Sequence, residues 1–197
     1  MERQSQRISN WGAFDAPYAV VREFHHPVWD HYFMTDRIDE VRLLVSGAIS
    51  GWQATGRALY LYSRDFGQSF FPVCRYLLQR PDRVSHFFSA LPDECAAVAA
   101  GGDLLETMSA FYSGLPSGDG SCDTTATIVF ENGGYWSGKV GGPIYRLWNG
   151  KADTNHRYVA DSAERIAMIA RGWIPEGFGT DAVIMCGYSV EAPPLPR

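Results

Sequence analysis

Polar and apolar positions in the C-terminal third of the chain follow strand periodicity first and helix periodicity afterwards. Residues 143–149 form an apolar, aromatic run that predicts a strand, and residues 156–159 predict a second strand after a polar turn. Asp161, with a glutamate three residues later, has the form of a capping box, and the apolar residues that follow recur at helical spacing. Gly172 stands where a left-handed cap ends a helix, and residues 182–186 predict a third strand. The predicted order is β-β-α-β.

The same order is predicted twice in the preceding part of the chain. The strands expected there are residues 20–24, 31–34, 58–62, 72–77, 86–88 and 111–112. The first helix is expected to have Asp36 as its N-cap and Asp39 at its third position, and the second helix to begin at Pro92. We therefore interpret the chain as three diverged copies of one short unit.

Three residue types recur at matching positions of the copies. They are an arginine in the first strand, a histidine that opens the second strand, and an acid eight residues after that histidine. These columns are Arg22, Arg75 and Arg146, then His31, His86 and His156, then Asp39, Glu94 and Glu164. An enzyme rarely needs three equal active sites, so we interpret the columns as structural, with the acid completing a capping box and the arginine pairing with it or with carbonyls. The alternative is a ligand-binding or catalytic cluster present three times.

The predicted fold is α+β, with three tandem β-β-α-β repeats packed into one domain over residues 1–197. Short antiparallel strands with one short helix per repeat are expected, an arrangement compatible with pseudo-threefold symmetry. The boundaries are 19–64 for repeat one, 71–122 for repeat two, 123–142 for an insertion, 143–187 for repeat three and 188–197 for a C-terminal tail. Within the insertion, residues 125–130 predict a strand and residues 132–134 a glycine-rich turn.

Composition narrows the classes of partner. The chain has 17 Lys and Arg against 22 Asp and Glu, a formal charge of -5, so we expect no nucleic-acid partner. No apolar run approaches the roughly 20 residues of a membrane span, so no membrane insertion is expected. The first residues lack the apolar stretch of a signal peptide, so the chain is either cytosolic or has lost a leader.

The cysteines favour an oxidising compartment. The chain has four, Cys74, Cys95, Cys122 and Cys186, and no C-x-x-C pair, which argues against a zinc ribbon. An even, widely spaced set fits two disulfides, for which three connectivities are open. Four buried free thiols are the alternative.

The third copy contains I-Y-R-L-W-N at residues 144–149, H-R-Y at 156–158, G-W at 172–173 and E-G at 176–177. With residues 72–76, 85–88 and 94–96, these stretches resemble an extracellular repeat family catalogued as a domain of unknown function, and the resemblance covers roughly residues 19 to 187. The resemblance implies a module appended to glycan-degrading, peptidoglycan-cleaving or peptidase domains, hence attachment to a surface or a carbohydrate.

The sequence departs from the family pattern at the 123–142 insertion and in the first copy. That copy has Met34-Thr35 and Thr55-Gly56 where the family prefers Thr-Thr and Glu-Gly. The disulfide pairing that we expect is Cys74–Cys95 within the second copy and Cys122–Cys186 closing onto the third.

Aromatic residues at polar turns are the candidate ligand contacts. Flat rings beside Gly, Asn and Asp are suited to stack on the faces of sugars. The candidate ligand-binding residues are Trp29, Tyr135, Trp136, Trp148, Asn149 and Asp153. The alternative is that these rings cover the core at the turns.

The sequence contains no recognisable catalytic motif: G-x-S-x-G, H-E-x-x-H and the phosphate loop are all missing. His25 and His26 are adjacent and so face opposite sides of a strand, and we expect no metal and no cofactor. The preferred function is a non-catalytic, lectin-like module, secreted or on the cell surface, that binds cell-surface or cell-wall carbohydrate. The alternatives are a structural or adhesive protein-binding spacer appended to a secreted enzyme, and an unrecognised hydrolase with paired carboxylates in one pocket.

Overall fold

A computed structural model describes residues 18–63, 70–80, 83–123, 125–129, 135–139 and 141–191 of the chain, with only the backbone described for residues 125–129, 135–139 and 188–191. These residues form mostly antiparallel sheets with three short helices, so the predicted α+β class is confirmed. None of the described helices is long and apolar enough to cross a membrane.

The first segment is a hairpin, a helix and a returning strand. Its elements are β1 (Tyr18–His26), β2 (His31–Thr35), α1 (Ile38–Val45) and β3 (Gln53–Tyr62). Strand β3 returns antiparallel along the edge of β1 that β2 leaves open. Helix α1 turns Val41 and Leu44 towards the core, as the apolar spacing requires.

The second segment also places a helix after a hairpin. Its elements are β4 (Phe71–Pro72), β5 (Cys74–Arg80), β6 (Arg83–Ser89), α2 (Pro92–Ala100), β7 (Leu104–Thr107) and β8 (Tyr112–Ser113). The strand that returns along β5 is β7, so the closing strand predicted at residues 111–112 is wrong. Phe111 instead packs against Phe88, with ring centroids 5.8 Å apart, and Tyr112 begins a short strand that pairs with β3 and β4.

The third segment follows a hairpin within the insertion. The elements are β9 (Thr125–Val129), β10 (Tyr135–Lys139), β11 (Gly142–Trp148), β12 (His156–Val159), α3 (Ser162–Ala170), β13 (Ile174–Glu176) and β14 (Val183–Glu191). Strands β9 and β10 pair antiparallel, which agrees with the strand predicted at residues 125–130. The glycine-rich turn predicted at residues 132–134 lies outside the described residues. Strands β13 and β14 both pair with β11.

The first and third segments share one sheet, in the order β12-β11-β14-β3-β1-β2, whereas β6, β5 and β7 form a separate sheet. Where strand edges of different segments face each other, side chains form hydrogen bonds to the backbone N–H and C=O groups. The Asn155 amide bonds the backbone N–H and C=O of Tyr32 at 2.7 and 2.9 Å. The Tyr158 hydroxyl does the same for Phe88 at 2.9 and 2.7 Å. These contacts replace a missing strand partner and fix where the hairpins meet.

All three segments contribute to the main core cluster. Its best-buried members, at most 2% exposed, include Val21, Phe24, Val73, Phe88, Ile144 and Met185. Because these side chains lie in one cluster, apolar burial stabilises the contact between the segments as well as each segment.

Helix α3 begins and ends as predicted. The Asp161 carboxylate accepts hydrogen bonds from two first-turn amides, at 2.8 and 3.4 Å. Gly172 has a φ of 91°, a left-handed value that glycine adopts readily. The Trp173 amide then closes the turn onto the Met168 carbonyl at 3.1 Å.

The other two helices begin differently from the prediction. The N-cap of α1 is Arg37 rather than Asp36, so its third position is Glu40 rather than Asp39. Helix α2 begins at Pro92 as predicted. The N-cap residues of α1 and α2 make no side-chain capping bond, so the capping-box role predicted for the acid column is wrong for these helices.

Both expected disulfides are present. Cys74–Cys95 ties β5 to α2, and Cys122–Cys186 ties the chain after β8 to β14. No cysteine is left free, which excludes the alternative of four buried thiols.

Candidate functional site

An arginine clamp joins the first segment to the second. Arg75 of β5 donates from Nη1 and Nη2 to the two carboxylate oxygens of Glu40 on α1, each at 2.9 Å. Its Nε donates to Glu106 of β7 at 2.6 Å, and its guanidinium lies 5.1 Å from the centroid of the Phe33 ring. The Arg75 side chain is only 6% exposed, so its charge depends on these carboxylates for compensation.

A corresponding clamp joins the second segment to the third. Arg146 of β11 donates from Nη1 and Nη2 to Glu94 on α2 at 2.7 and 2.8 Å, and from Nε to Glu176 of β13 at 3.0 Å. Its guanidinium lies 5.0 Å from the centroid of Phe87. The predicted arginine and acid columns therefore do pair here, but the acid belongs to the preceding segment.

A histidine stands beside each of these clamps. His86 Nε2 lies 3.2 Å from Glu106, and His156 Nε2 lies 3.3 Å from Glu176. Burial lowers the pKa of both imidazoles. Burial also opposes ionisation of Glu106, but its bonds to His86 and Arg75 outweigh this and lower its pKa to about 2.

A buried arginine also joins the third segment to the first, but here the third segment supplies the arginine and strand β1 supplies an acid. Arg157 of β12 donates from Nε and Nη2 to Glu23 of β1, at 2.8 and 3.0 Å, and from Nη1 to Glu164 on α3. Its guanidinium lies 4.0 Å from the centroid of Tyr32. Burial works against the charge of Arg157, but the bonds to Glu23 outweigh it and raise the pKa.

Strand register identifies the corresponding positions. Arg75 lies opposite Phe88, and Phe88 is four residues before the first residue of α2. Arg146 likewise lies opposite Tyr158, and Tyr158 is four residues before the first residue of α3. In the first segment the residue at that distance from α1 is Met34, and it lies opposite Glu23. Glu23 thus holds the position of the two arginines.

The residues at these distances from the start of α1 differ from the predicted columns. They are Glu23, Tyr32 and Glu40, each one position after Arg22, His31 and Asp39. Both sets separate the second member from the third by eight residues, so the spacing alone does not distinguish them. Asp39 instead pairs with Arg37 at 3.1 Å on the surface.

A cleft of about 230 Å³ opens at the third–first interface. The face of β1, β2 and β3 forms one side of it and contributes the apolar side chains of Val21, Met34 and Leu59. The end of β12 and the start of α3 form the other side, which includes Val159 and Asp161. The cleft therefore separates two segments that β14 and β3 join elsewhere in the same sheet.

The charged residues that line this cleft differ in exposure. Arg57 and Asp161 are exposed and define what we call its mouth, whereas Glu23 is only 8% exposed and defines its inner end. Arg57 Nη2 donates to Glu164 Oε2 at 2.8 Å, so the acid of α3 is shared between Arg57 and Arg157. The mouth of the cleft is polar and its walls are apolar.

The predicted ligand contacts Asn149 and Asp153 stabilise a turn. The side-chain oxygen Oδ1 of Asn149 accepts from the backbone amides of Lys151 and Asn155 at 3.2 and 3.0 Å, and its Nδ2 donates to Asp153 at 3.1 Å. Asp153 also accepts from Arg83 at 2.6 Å. The prediction that these side chains contact a ligand gains no support here, because protein groups already bind their polar atoms.

The predicted contact Trp29 lies at the same corner of the molecule. Its ring stacks on His26, with centroids 3.8 Å apart, and the Arg83 guanidinium lies 5.9 Å from its centroid. The buried His31 has Nε2 3.1 Å from Asp153, although off the direction of a good hydrogen bond. The Trp29 ring is thus partly buried and packs on protein groups.

The remaining predicted contacts divide into two cases. Trp148 is partly buried and donates from Nε1 to the Thr154 hydroxyl at 3.3 Å. Tyr135 and Trp136 lie on β10, but their side chains fall outside the described part of the structure. Over the residues that are described, no group of three His, Cys, Asp or Glu is placed to hold a metal ion.

The cleft residues Glu23 and Arg57, and Arg157, which pairs with Glu23, were not predicted from the sequence. Glu23 follows Arg22 in β1 and Arg157 follows His156 in β12, so polar neighbours hide both residues from a search for isolated charges in apolar strands. Arg57 and Glu164 are 107 positions apart, so no local spacing connects them.

Comparison with known families gives one match. The model of a family described as Domain of unknown function (DUF5648) matches residues 128–183, from the insertion to the start of β14. This supports a domain-of-unknown-function assignment for that part of the chain, and the match does not extend to the two earlier segments. No curated protein and no solved structure gave a significant match.

Proposed function

We propose that the protein is a non-catalytic extracellular recognition module that binds carbohydrate in the cleft at the third–first interface. The observation that carries the proposal is the placement of Arg57 and Asp161 at the mouth of a cleft with apolar walls. Sugars present hydroxyl groups that guanidinium and carboxylate groups bind in pairs, and C–H faces that pack on apolar side chains. At about 230 Å³ the cleft is smaller than the roughly 300–1,000 Å³ of drug-sized sites, so it suits a single sugar unit.

The carboxylates of the cleft favour binding over hydrolysis. A glycosidase needs two carboxyl groups that are free to exchange a proton or attack the sugar. Both oxygens of Glu23 accept hydrogen bonds from Arg157, and Asp161 Oδ1 accepts from the amides that begin α3. Glu23 would have to leave its buried partner to act in catalysis, so the cleft lacks a pair of carboxyl groups that are both free.

The extracellular location rests on the two disulfides. Disulfides persist in secreted and surface proteins and are rare where thiols are kept reduced. We expect the protein to accumulate in folded form from an oxidising compartment and to be lost to aggregation or proteolysis in a reducing one. Equal yields with all four cysteines reduced would remove this support.

We further propose that the three hairpin–helix segments are diverged copies of one unit, and that the module is appended to a secreted enzyme. Support comes from the Arg75 and Arg146 clamps, which use the same three donor atoms on acids at matching positions. An exchange of Glu23 and Arg157 for the residues at the matching positions tests this correspondence. If the positions do not correspond, the exchanged protein will not fold.

A glycan array tests the carbohydrate function. The purified protein is expected to bind a subset of glycans, and Arg57→Gln to weaken that binding. Arg37→Gln is the matched control, because Arg37 is also an exposed arginine paired with a carboxylate but lies at the start of α1. Binding to no glycan, in buffers with and without calcium, contradicts the proposal.

A further inference from the structure

At the inner end of the cleft, both carboxylate oxygens of Glu23 and all three guanidinium nitrogens of its partner Arg157 already make hydrogen bonds. Arg157 uses Nε and Nη2 on Glu23 and Nη1 on Glu164, and Glu23 uses both of its carboxylate oxygens on Arg157. The ion pair is nearly closed to solvent, with the two side chains 4% and 9% exposed. A ligand that placed a polar group there would have to break a buried ion pair, which is strongly unfavourable.

The mouth of the cleft has both hydrogen-bond donors and a hydrogen-bond acceptor that are available to a ligand. Among the described contacts, Arg57 donates only from Nη2 to Glu164, which leaves Nε and Nη1 without a partner. Asp161 accepts only at Oδ1, which leaves Oδ2 without one in the same set of contacts. The mouth therefore offers two donors on one side and one acceptor on the other.

Apolar side chains line the space between the mouth and the inner end. They are Val21, Met34, Leu59 and Val159, each at most 7% exposed. A group that enters past the mouth is therefore favoured when it is small and apolar, because it removes its own surface and that of the walls from water. A hydroxyl or ammonium group placed there would lose its hydration with no partner to replace it.

We propose that the cleft recognises an acetamido group, as carried by an N-acetylated amino sugar. The carbonyl oxygen of the group accepts from Arg57, its N–H donates to Asp161 Oδ2, and its methyl group enters between Met34 and Leu59. The three parts of the acetamido group match the three kinds of surface in the cleft. This inference rests on the proposed carbohydrate function and names the sugar class that the site selects.

Matched sugars separate this inference from the general function. Titration calorimetry with N-acetylglucosamine oligomers, glucose oligomers and glucosamine oligomers of the same length compares the acetamido group with a hydroxyl and an ammonium group. We expect the N-acetylated series to bind at least tenfold more tightly than either of the others. An acetyl-lysine peptide, compared with its unacetylated form, tests the same group on a protein source.

The variants test the assigned contacts. Arg57→Gln and Asp161→Ser should each weaken binding of the N-acetylated series about tenfold or more, and serine keeps the N-cap of α3 intact. Arg37→Gln should leave the affinity unchanged. Thermal melting of each variant distinguishes a lost contact from a lost fold.

Each outcome bears on the inference. Equal binding of glucose and N-acetylglucosamine oligomers overturns the acetamido site and leaves the carbohydrate function standing. Binding of the acetylated peptide alone overturns the sugar as ligand and with it the proposed function. Binding of the N-acetylated sugars that is unaffected by Arg57→Gln and Asp161→Ser places the ligand elsewhere and overturns the inference as well.

Discussion

The first–second and third–first interfaces contain the same kinds of charge on opposite partners. In the first–second interface, Arg75 on β5, the first strand of its hairpin, binds Glu40 and packs near Phe33. In the third–first interface, the first strand of the hairpin is β1 and carries Glu23, and the arginine is Arg157 on β12 of the third segment. Both arrangements leave a buried guanidinium between two carboxylates, so charge balance is maintained although each residue type has changed sides.

The exchange has a consequence for shape. In the second segment, Phe111 packs against Phe88, the residue opposite Arg75, and is 1% exposed. Where Glu23 stands, the neighbouring strand carries Gly56, Arg57 and Ala58, and a cleft of about 230 Å³ is open. In the part of the chain that the structure describes, the third–first interface thus combines a buried arginine between two acids with an open cleft.

The largest predicted effect concerns the clamp of the first–second interface. Arg75→Met removes one partner of a buried ion network and leaves Glu40 and Glu106 uncompensated. We expect the free energy of unfolding to fall by about 3–5 kcal/mol, measured by urea denaturation. Arg37→Met, which breaks an exposed pair with Asp39 and a longer contact of 3.6 Å with Glu40, is the control and should cost less than about 1 kcal/mol. An Arg75→Met protein as stable as the wild type would contradict the importance of the clamp.

The second prediction places an arginine at position 23 of the third–first interface, as Arg75 and Arg146 are placed in the other two interfaces. Glu23→Arg alone places two arginines face to face and should destabilise by about 3–5 kcal/mol. Adding Arg157→Phe supplies the ring that Phe33 and Phe87 provide elsewhere, so the double variant should recover roughly 2–3 kcal/mol of this loss.

The readout is a double-mutant cycle from urea melts of the four proteins. A coupling energy near zero would mean that Glu23 and Arg157 do not occupy the positions of Arg75 and Phe33. The repeat interpretation of the first segment would then fail, because its support is this correspondence.

Local patterns predicted the elements well. The strand runs, the Asp161 cap and the Gly172 turn depend on neighbouring residues, and the structure places them as the sequence indicates. The disulfide pairing was also correct. The closing strand of the second segment was missed because Phe111 and Tyr112 resemble a strand while Phe111 acts as a core side chain.

Contacts between the segments were less predictable. The acid column was assigned to helix capping, a local role, whereas Glu40 and Glu94 bind arginines 35 and 52 positions away. In the first segment, the arginine was sought at Arg22 because the pattern required that residue type. The position holds Glu23, and only the strand register reveals that the charge has been exchanged.

The third prediction uses the pH dependence of stability to distinguish the two arginine clamps from the third–first interface. His86 and His156 stand beside the two arginine clamps, whereas Tyr32 stands beside Arg157. Burial lowers the pKa of both histidines in the folded protein. As pH falls below about 6.5, the unfolded chain therefore binds protons that the folded protein does not, and stability falls.

Each histidine accounts for at most about 1.4 kcal/mol per pH unit in that window. Urea melts between pH 7 and pH 5 should show a smaller decrease in the His86→Tyr/His156→Tyr variant, which copies Tyr32. The comparison is made between the two slopes, since burial also lowers the pKa of His26 and His31. Identical slopes would exclude the two histidines as the source.

The smallest predicted effect concerns Asp161, which both caps helix α3 and lines the cleft. Asp161 caps α3 with Oδ1, whereas Arg37 and Leu91 cap α1 and α2 without a side-chain bond. Asp161→Ala should lower stability by about 1 kcal/mol, and Asp161→Ser, which keeps a capping oxygen, by a few tenths. The shift of the urea midpoint measures both. If serine were as costly as alanine, the carboxylate itself would be needed for folding, and a loss of ligand affinity in Asp161→Ser would no longer identify a direct contact at the mouth of the cleft.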